Sequence, residues 1–122
     1  MFIASSPHAH LGRVVDTGEC VRYVQVAAQA SHTSRWVRGE KVRGAHHLPV
    51  GTTIATFDAQ GRYANDTTGR SHAAIYIGQN DQGLRVLDQW AGQPVHERLI
   101  RFRDGKAQPV NDGDAYFTVE DA

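Results

Sequence analysis

The chain has 122 residues, 13 basic and 13 acidic side chains, and a single cysteine. That length suits one domain spanning residues 1–122, and 40% hydrophobic with 21% charged residues describes a folded globular chain, not a disordered one. Balanced charge argues against nucleic acid or an anionic membrane as partner, one cysteine excludes an internal disulfide or a cysteine-rich zinc site, and no apolar run approaches the ~20 residues of a membrane helix.

The first eight residues, MFIASSPH, lack a basic region followed by a long apolar stretch. The expectation is synthesis in the cytoplasm without a cleaved signal peptide. Over residues 20–30 (CVRYVQVAAQA), apolar side chains at Cys20, Tyr23, Val24, Ala27 and Ala28 recur at intervals of three and four and predict a helix. Asp16 or Thr17 can cap it, and a Thr17 cap places Cys20 at the third helical position. Residues 31–44 are polar and read as a connection, with Trp36 and Val37 as anchors. His46 and His47 lead into a turn at residues 48–51.

The period then changes to two. Residues 52–57 (TTIATF) predict a strand, residues 58–63 a turn returning toward a short strand, and residues 65–69 a polar loop. Further strands are expected at 72–77, 84–89, 95–102 and 115–119, with a hairpin connection at 79–83 and a turn at Asp112-Gly113. One helix followed by five or six antiparallel strands is an α+β layout.

Three positions carry a coherent chemistry. A thiol at the start of a helix meets unpaired backbone N–H groups and the positive end of the helix dipole, both of which favour the thiolate. His72 opens a strand and on alternating pleats shares a face with Ala74 and Tyr76, the small Ala74 leaving room beside the imidazole. On the following strand Val86, Asp88 and Trp90 share one face and Leu87 and Gln89 the other, so only one of Asp88 and Gln89 turns toward His72. Asp88 is the expected partner, because a carboxylate both orients an imidazole and stabilises an imidazolium. Cys20, His72 and Asp88 are thus the expected nucleophile, base and orienting acid. The backbone N–H of Cys20 would receive an oxyanion, with Thr17 or Tyr23 as a second donor and Gln89 and Trp90 as further groups on the substrate side.

Seven histidines, including His8-x-His10 and His46-His47, raise a metal site, but no H-E-x-x-H pattern accompanies them. They read as solvated loop residues, and no metal or cofactor is expected. Arg35, Arg38 and Arg43 have the charge to bind the carboxylates of an acidic peptide, though they read more simply as a solvated loop.

Gly18-Glu19-Cys20-Val21 with Val24, then Ser71-His72-Ala73-Ala74-Ile75-Tyr76-Ile77-Gly78, then Val86-Leu87-Asp88-Gln89 together resemble the NlpC-type and CHAP-type peptidoglycan amidases, a papain-like group. The resemblance covers roughly residues 16–102. Within that group the runs GTTIATF and VLDQW are similar to the small type VI secretion amidase effectors of Gram-negative bacteria. The resemblance implies a papain-like domain in which an N-terminal helix carrying the cysteine packs on an antiparallel sheet. It implies hydrolysis of amide bonds in peptidoglycan peptide stems or cross-links by Cys20, His72 and Asp88, without a cofactor. It further implies secretion into the periplasm of a target bacterium, with a cognate immunity protein and a secretion-apparatus component as partners. Ser71 stands where many such domains have glycine, and the third polar residue of the group is often histidine, asparagine or glutamate. Two other readings remain open on the residues alone. One is an intracellular papain-like protease or transamidase acting on proteins; the other is a catalytically silent binding domain of the same fold.

Overall fold

The computed structural model describes residues 1–66 and 68–122. Helix α1 spans Cys20–Ala28, and six strands follow: β1 Trp36–Lys41, β2 Thr53–Thr56, β3 Ala73–Gln79, β4 Gly83–Trp90, β5 Gln93–Arg101 and β6 Tyr116–Asp121. They form one antiparallel sheet in the order β1-β6-β2-β3-β4-β5. The α+β expectation holds, and the C-terminal strand fills the gap between β1 and β2. No helix among the described residues is long and apolar enough to cross a membrane.

The middle of the sheet is buried on both faces, so its side chains divide by parity between two cores. Ala55, Ala73, Ile75 and Leu87 pack with Tyr23, Val24 and Ala28 of α1. Ile54, Ala74, Tyr76, Val86 and Ile100 face the other way, beneath Val42, Ala45 and Leu48. Burial of each large apolar side chain stabilises by about 1.5–3 kcal/mol, which is why the strongly apolar β3 and β4 sit centrally. Pairing of Ile75 with Leu87 and Tyr76 with Val86 fixes the register. Because the strands run antiparallel, the residues before Ile75 and those after Leu87 reach the same end of the sheet, which brings His72 to Asp88.

Three readings change. Residues 36–41, expected as part of a connection, form β1: Trp36 is fully buried, but Arg38, Glu40 and Lys41 are exposed, so apolar alternation is missing from this edge strand. The helix ends at Ala28 with the last residue of the apolar pattern, two residues short of the expected segment 20–30, with Gln29 in the left-handed conformation (φ 55°). The cap is neither Asp16 nor Thr17 but Glu19, and Cys20 is the first helical residue instead of the third. The loop expected at residues 65–69 includes Thr67, which lies outside the described residues.

Candidate active site

The approach to Cys20 is a tight turn. Asp16 takes a positive φ (55°), Gly18 another (89°), and the Gly18 N–H donates to the Val15 carbonyl at 3.0 Å. Glycine suits the second position because it enters the left-handed region without steric cost. Glu19 then leaves the turn in extended conformation and makes no side-chain cap hydrogen bond. The first backbone N–H groups of α1 are therefore not claimed by a capping side chain and remain available to negative charge.

Gln89 holds this turn in place. Its side-chain oxygen accepts from the Val15 N–H at 2.9 Å, and its amide nitrogen donates to the carbonyls of Val15 (2.8 Å) and Glu19 (2.9 Å). Gln89 is fully buried, so these bonds replace water that cannot reach it.

Asp88, the preceding residue, points to the opposite face of β4. Its Oδ2 lies 2.7 Å from His72 Nε2 and accepts from Arg98 at 2.8 Å, and the carboxylate is fully buried. His96, its cross-strand neighbour on β5, places Nε2 3.0 Å from Oδ1 without the alignment of a directed hydrogen bond. The backbone around His72 is pinned too: Thr56 Oγ1 accepts from the His72 N–H at 3.0 Å and donates to the Arg70 carbonyl at 2.9 Å. With Nε2 engaged by Asp88, Nδ1 is the ring nitrogen left for other work.

These contacts set the protonation states. Burial pushes the Cys20 thiol up, but hydrogen bonding from His72, the imidazolium charge, the Ala73 N–H and the Tyr63 hydroxyl outweigh it and hold the thiol below its ordinary value. For His72, burial works against the charged ring, yet the bond to Asp88 and the neighbouring sulfur raise it to about 9. Burial likewise opposes ionisation of Asp88, and His72 and Arg98 overcome it to hold the carboxyl below its usual range. The shifts all favour the charged forms: a thiolate beside an imidazolium beside a carboxylate.

The remaining sequence-selected residues lie elsewhere or act differently. The Thr17 hydroxyl donates to the Glu19 carboxylate at 2.9 Å, and the buried Tyr23 donates to the Pro7 carbonyl at 3.4 Å, so both expected oxyanion donors already have other partners. Gln89 positions the cysteine turn instead of facing a substrate. Trp90 is 41% exposed, edge-on to both His72 and His96, with the Arg98 guanidinium 5.1 Å from its ring centre. It lines a cleft of about 310 Å³ together with His72, Ser71, Arg98 and Asn111. The cleft opens on the imidazole side of the pair. Arg35 is ion-paired with Asp121, Arg43 with Asp104 and Asp114, and Arg38 lies over Phe117. His47 lies 3.0 Å from Glu40, and His8 lies 3.7 Å from Glu97.

Residues 1–119 match the family model described as domesticated amidase effector 2. The chain belongs to this family. Within the domesticated amidase effector 2 family and its neighbours, it is 37% identical over 114 residues to a type VI secretion amidase effector 2 protein of Salmonella typhi, covering 84% of each chain. It is also 37% identical over 123 residues to domesticated amidase effector 2 of Ixodes scapularis, covering 95% of this chain and 82% of that one. A solved type 6 secretion amidase effector 2 superposes with a TM-score of 0.84 at 32% identity, over 99% of this chain and 95% of the other. The papain-like α+β architecture expected from the motifs is the architecture of this family member.

Sequence reasoning missed three residues that the fold of this family member assembles. Tyr63 brings its hydroxyl to 3.9 Å from the Cys20 sulfur and stacks edge-on against Trp36, with ring centres 5.0 Å apart. Burial first, then the sulfur's charge, pushes the Tyr63 hydroxyl far above its usual value, so it stays a donor. Arg98 and His96 complete the surround of Asp88. The signal for both was available in the alternation of β5, where even-numbered residues share a face; nothing local marks Tyr63.

Proposed function

We propose that this chain is a cysteine-dependent amidase that hydrolyses amide bonds in the peptide stems or cross-links of peptidoglycan. The observation that carries the reading is the buried 2.7 Å bond between His72 and Asp88, set beside a helix-start thiol held below its ordinary value. The Cys20 thiolate attacks the amide carbon, forming a C–S bond and a tetrahedral oxyanion. The N–H groups at the start of α1 and the Tyr63 hydroxyl are placed to receive that charge. His72 gives its proton to the departing nitrogen as the C–N bond breaks, leaving a thioester and a neutral imidazole. The imidazole then takes a proton from water, the hydroxide adds to the thioester, and the C–S bond breaks to return the thiolate and release the carboxylic acid. Asp88 keeps the ring oriented throughout and stabilises its charged form.

The substrate assignment draws on the family and on relatives named as type VI secretion amidase effectors. In this reading residues 1–122 act as one catalytic domain. The protein is delivered by a secretion apparatus into the periplasm of a target bacterium and neutralised in the producer by a cognate immunity protein. The test is digestion of purified sacculi with wild-type, Cys20→Ala and His72→Ala protein, followed by muropeptide analysis. Wild type should release new fragments and neither variant should. Absence of product from all three would sink the assignment.

A further inference from the structure

A second cleft, of about 640 Å³, adjoins the one that opens on His72. Arg98 and Asn111 line both, so the two clefts share a wall. The second cleft follows β5, the last strand of the sheet, and is walled by Arg101, Arg103 and Lys106 with no acidic side chain among its lining residues. This local excess of positive charge stands out in a chain whose formal charges cancel.

The cations here are also uncommitted. Arg22, Arg35, Arg43, Arg70, Arg85 and Arg98 are each ion-paired. Among the described residues the Arg101 guanidinium reaches only the Gln82 side-chain oxygen at 3.3 Å, and the side chains of Arg103 and Lys106 have no hydrogen-bond or ion-pair partner. The neighbouring carboxylates are occupied. Asp112 is buried and accepts the backbone N–H groups of Arg103, Gly105 and Asp114, while Asp104 and Asp114 hold Arg43. In the cleft beside His72, Ser71 Oγ is buried and has no hydrogen-bond partner among the described residues.

We infer that the groove walled by Arg101, Arg103 and Lys106 is a carboxylate-binding subsite that seats the free carboxylates of an acidic peptide while its scissile amide lies in the cleft beside His72. The inference rests on the amidase reading for the identity of the peptide, since peptidoglycan stems carry free carboxylates along their length. The cations steer the substrate toward the cleft and fix which amide reaches the sulfur, and Arg98 marks where the subsite ends, because its charge is already spent on Asp88.

The test is calorimetric binding of soluble cross-linked muropeptides to Cys20→Ala protein, comparing ligands with free carboxylates against the same ligands amidated with ammonia and a carbodiimide. Free carboxylates should bind about tenfold more tightly, a margin that high salt shrinks. The margin should vanish when Arg101→Gln, Arg103→Gln and Lys106→Gln are combined in the same background. Equal affinity for both ligands, a margin that survives the triple substitution, or no binding of either ligand overturns the inference. Turnover of the same free muropeptides by the otherwise unaltered protein is read separately. Product without a carboxylate preference removes the subsite alone, and a preference without product removes the amidase reading alone.

Discussion

A thiol as enclosed as Cys20 ionises only if something beside it repays the lost hydration, and His72 is the group placed to do so. With the thiol lowered and the imidazole raised to about 9, the ion pair persists over the pH range between the two. Iodoacetamide should therefore alkylate wild-type protein at pH values where an ordinary thiol, with a pKa of about 8.5, is still protonated. In His72→Ala the alkylation profile should move upward toward that ordinary value, and an unmoved profile would remove His72 from the thiol's environment. Hydrolysis should decline as pH rises through about 9, where His72 loses the proton the leaving amine needs. Tyr63 is tested apart from this pair. If its hydroxyl serves the oxyanion, Tyr63→Phe lowers kcat on the order of 10²-fold and leaves KM nearly unchanged. A matched fall in stability without loss of kcat would instead make it a packing residue.

At the scale of elements, β4 uses its two faces for two jobs. Asp88 orients the histidine on one side, and Gln89 ties the cysteine turn from the other, so consecutive residues set the two halves of the pair against each other. Gln89→Ala leaves the Val15 N–H and two carbonyls without their partner, a loss of roughly 2–4 kcal/mol. The variant should melt roughly 10 °C lower. Its Val15 amide should also exchange faster with solvent, and wild-type melting with wild-type exchange would show the clamp to be dispensable. This division of labour was half legible in the sequence: alternation required Asp88 and Gln89 to part, and charge chose Asp88 for the histidine, but what Gln89 would hold depended on where α1 lands. The strands around the site were legible because β3 and β4 are apolar and bounded by turns. β1 was not, since only Trp36 and Val37 are apolar in a strand whose other side chains meet water. Tyr63 was hidden for a different reason, as its role comes from a contact 43 positions away from Cys20 that no local pattern encodes.

For the molecule as a whole, Asp88 links the candidate site to stability. One buried carboxylate meets His72, Arg98 and His96, from the lead-in to β3 and from two successive positions on one face of β5, so it joins three strands at the functional end of the sheet. Replacing it with asparagine leaves a buried imidazolium and a half-buried guanidinium without their counter-charge, a loss of about 3–5 kcal/mol. The pH dependence of that loss follows from the shifts. The Asp88 carboxyl is held below its ordinary value, so its contribution is fully present above about pH 4 and is lost as pH falls through the lowered folded value. His72 is raised to about 9, so its share is fully present below about pH 6.5 and is lost as pH rises through about 9. The stability gap between wild type and Asp88→Asn should then be widest between about pH 4 and 6.5, narrowing on both sides. On the alkaline side it should not close, because the Arg98 contact with the carboxylate does not depend on the His72 proton. Urea midpoints of the two proteins measured from acid to alkaline pH, with equal m-values, report the gap directly. A gap that stays constant from pH 3 to pH 10 would mean that the His72–Asp88–Arg98 cluster holds the active site in shape without contributing its charge to the stability of the fold.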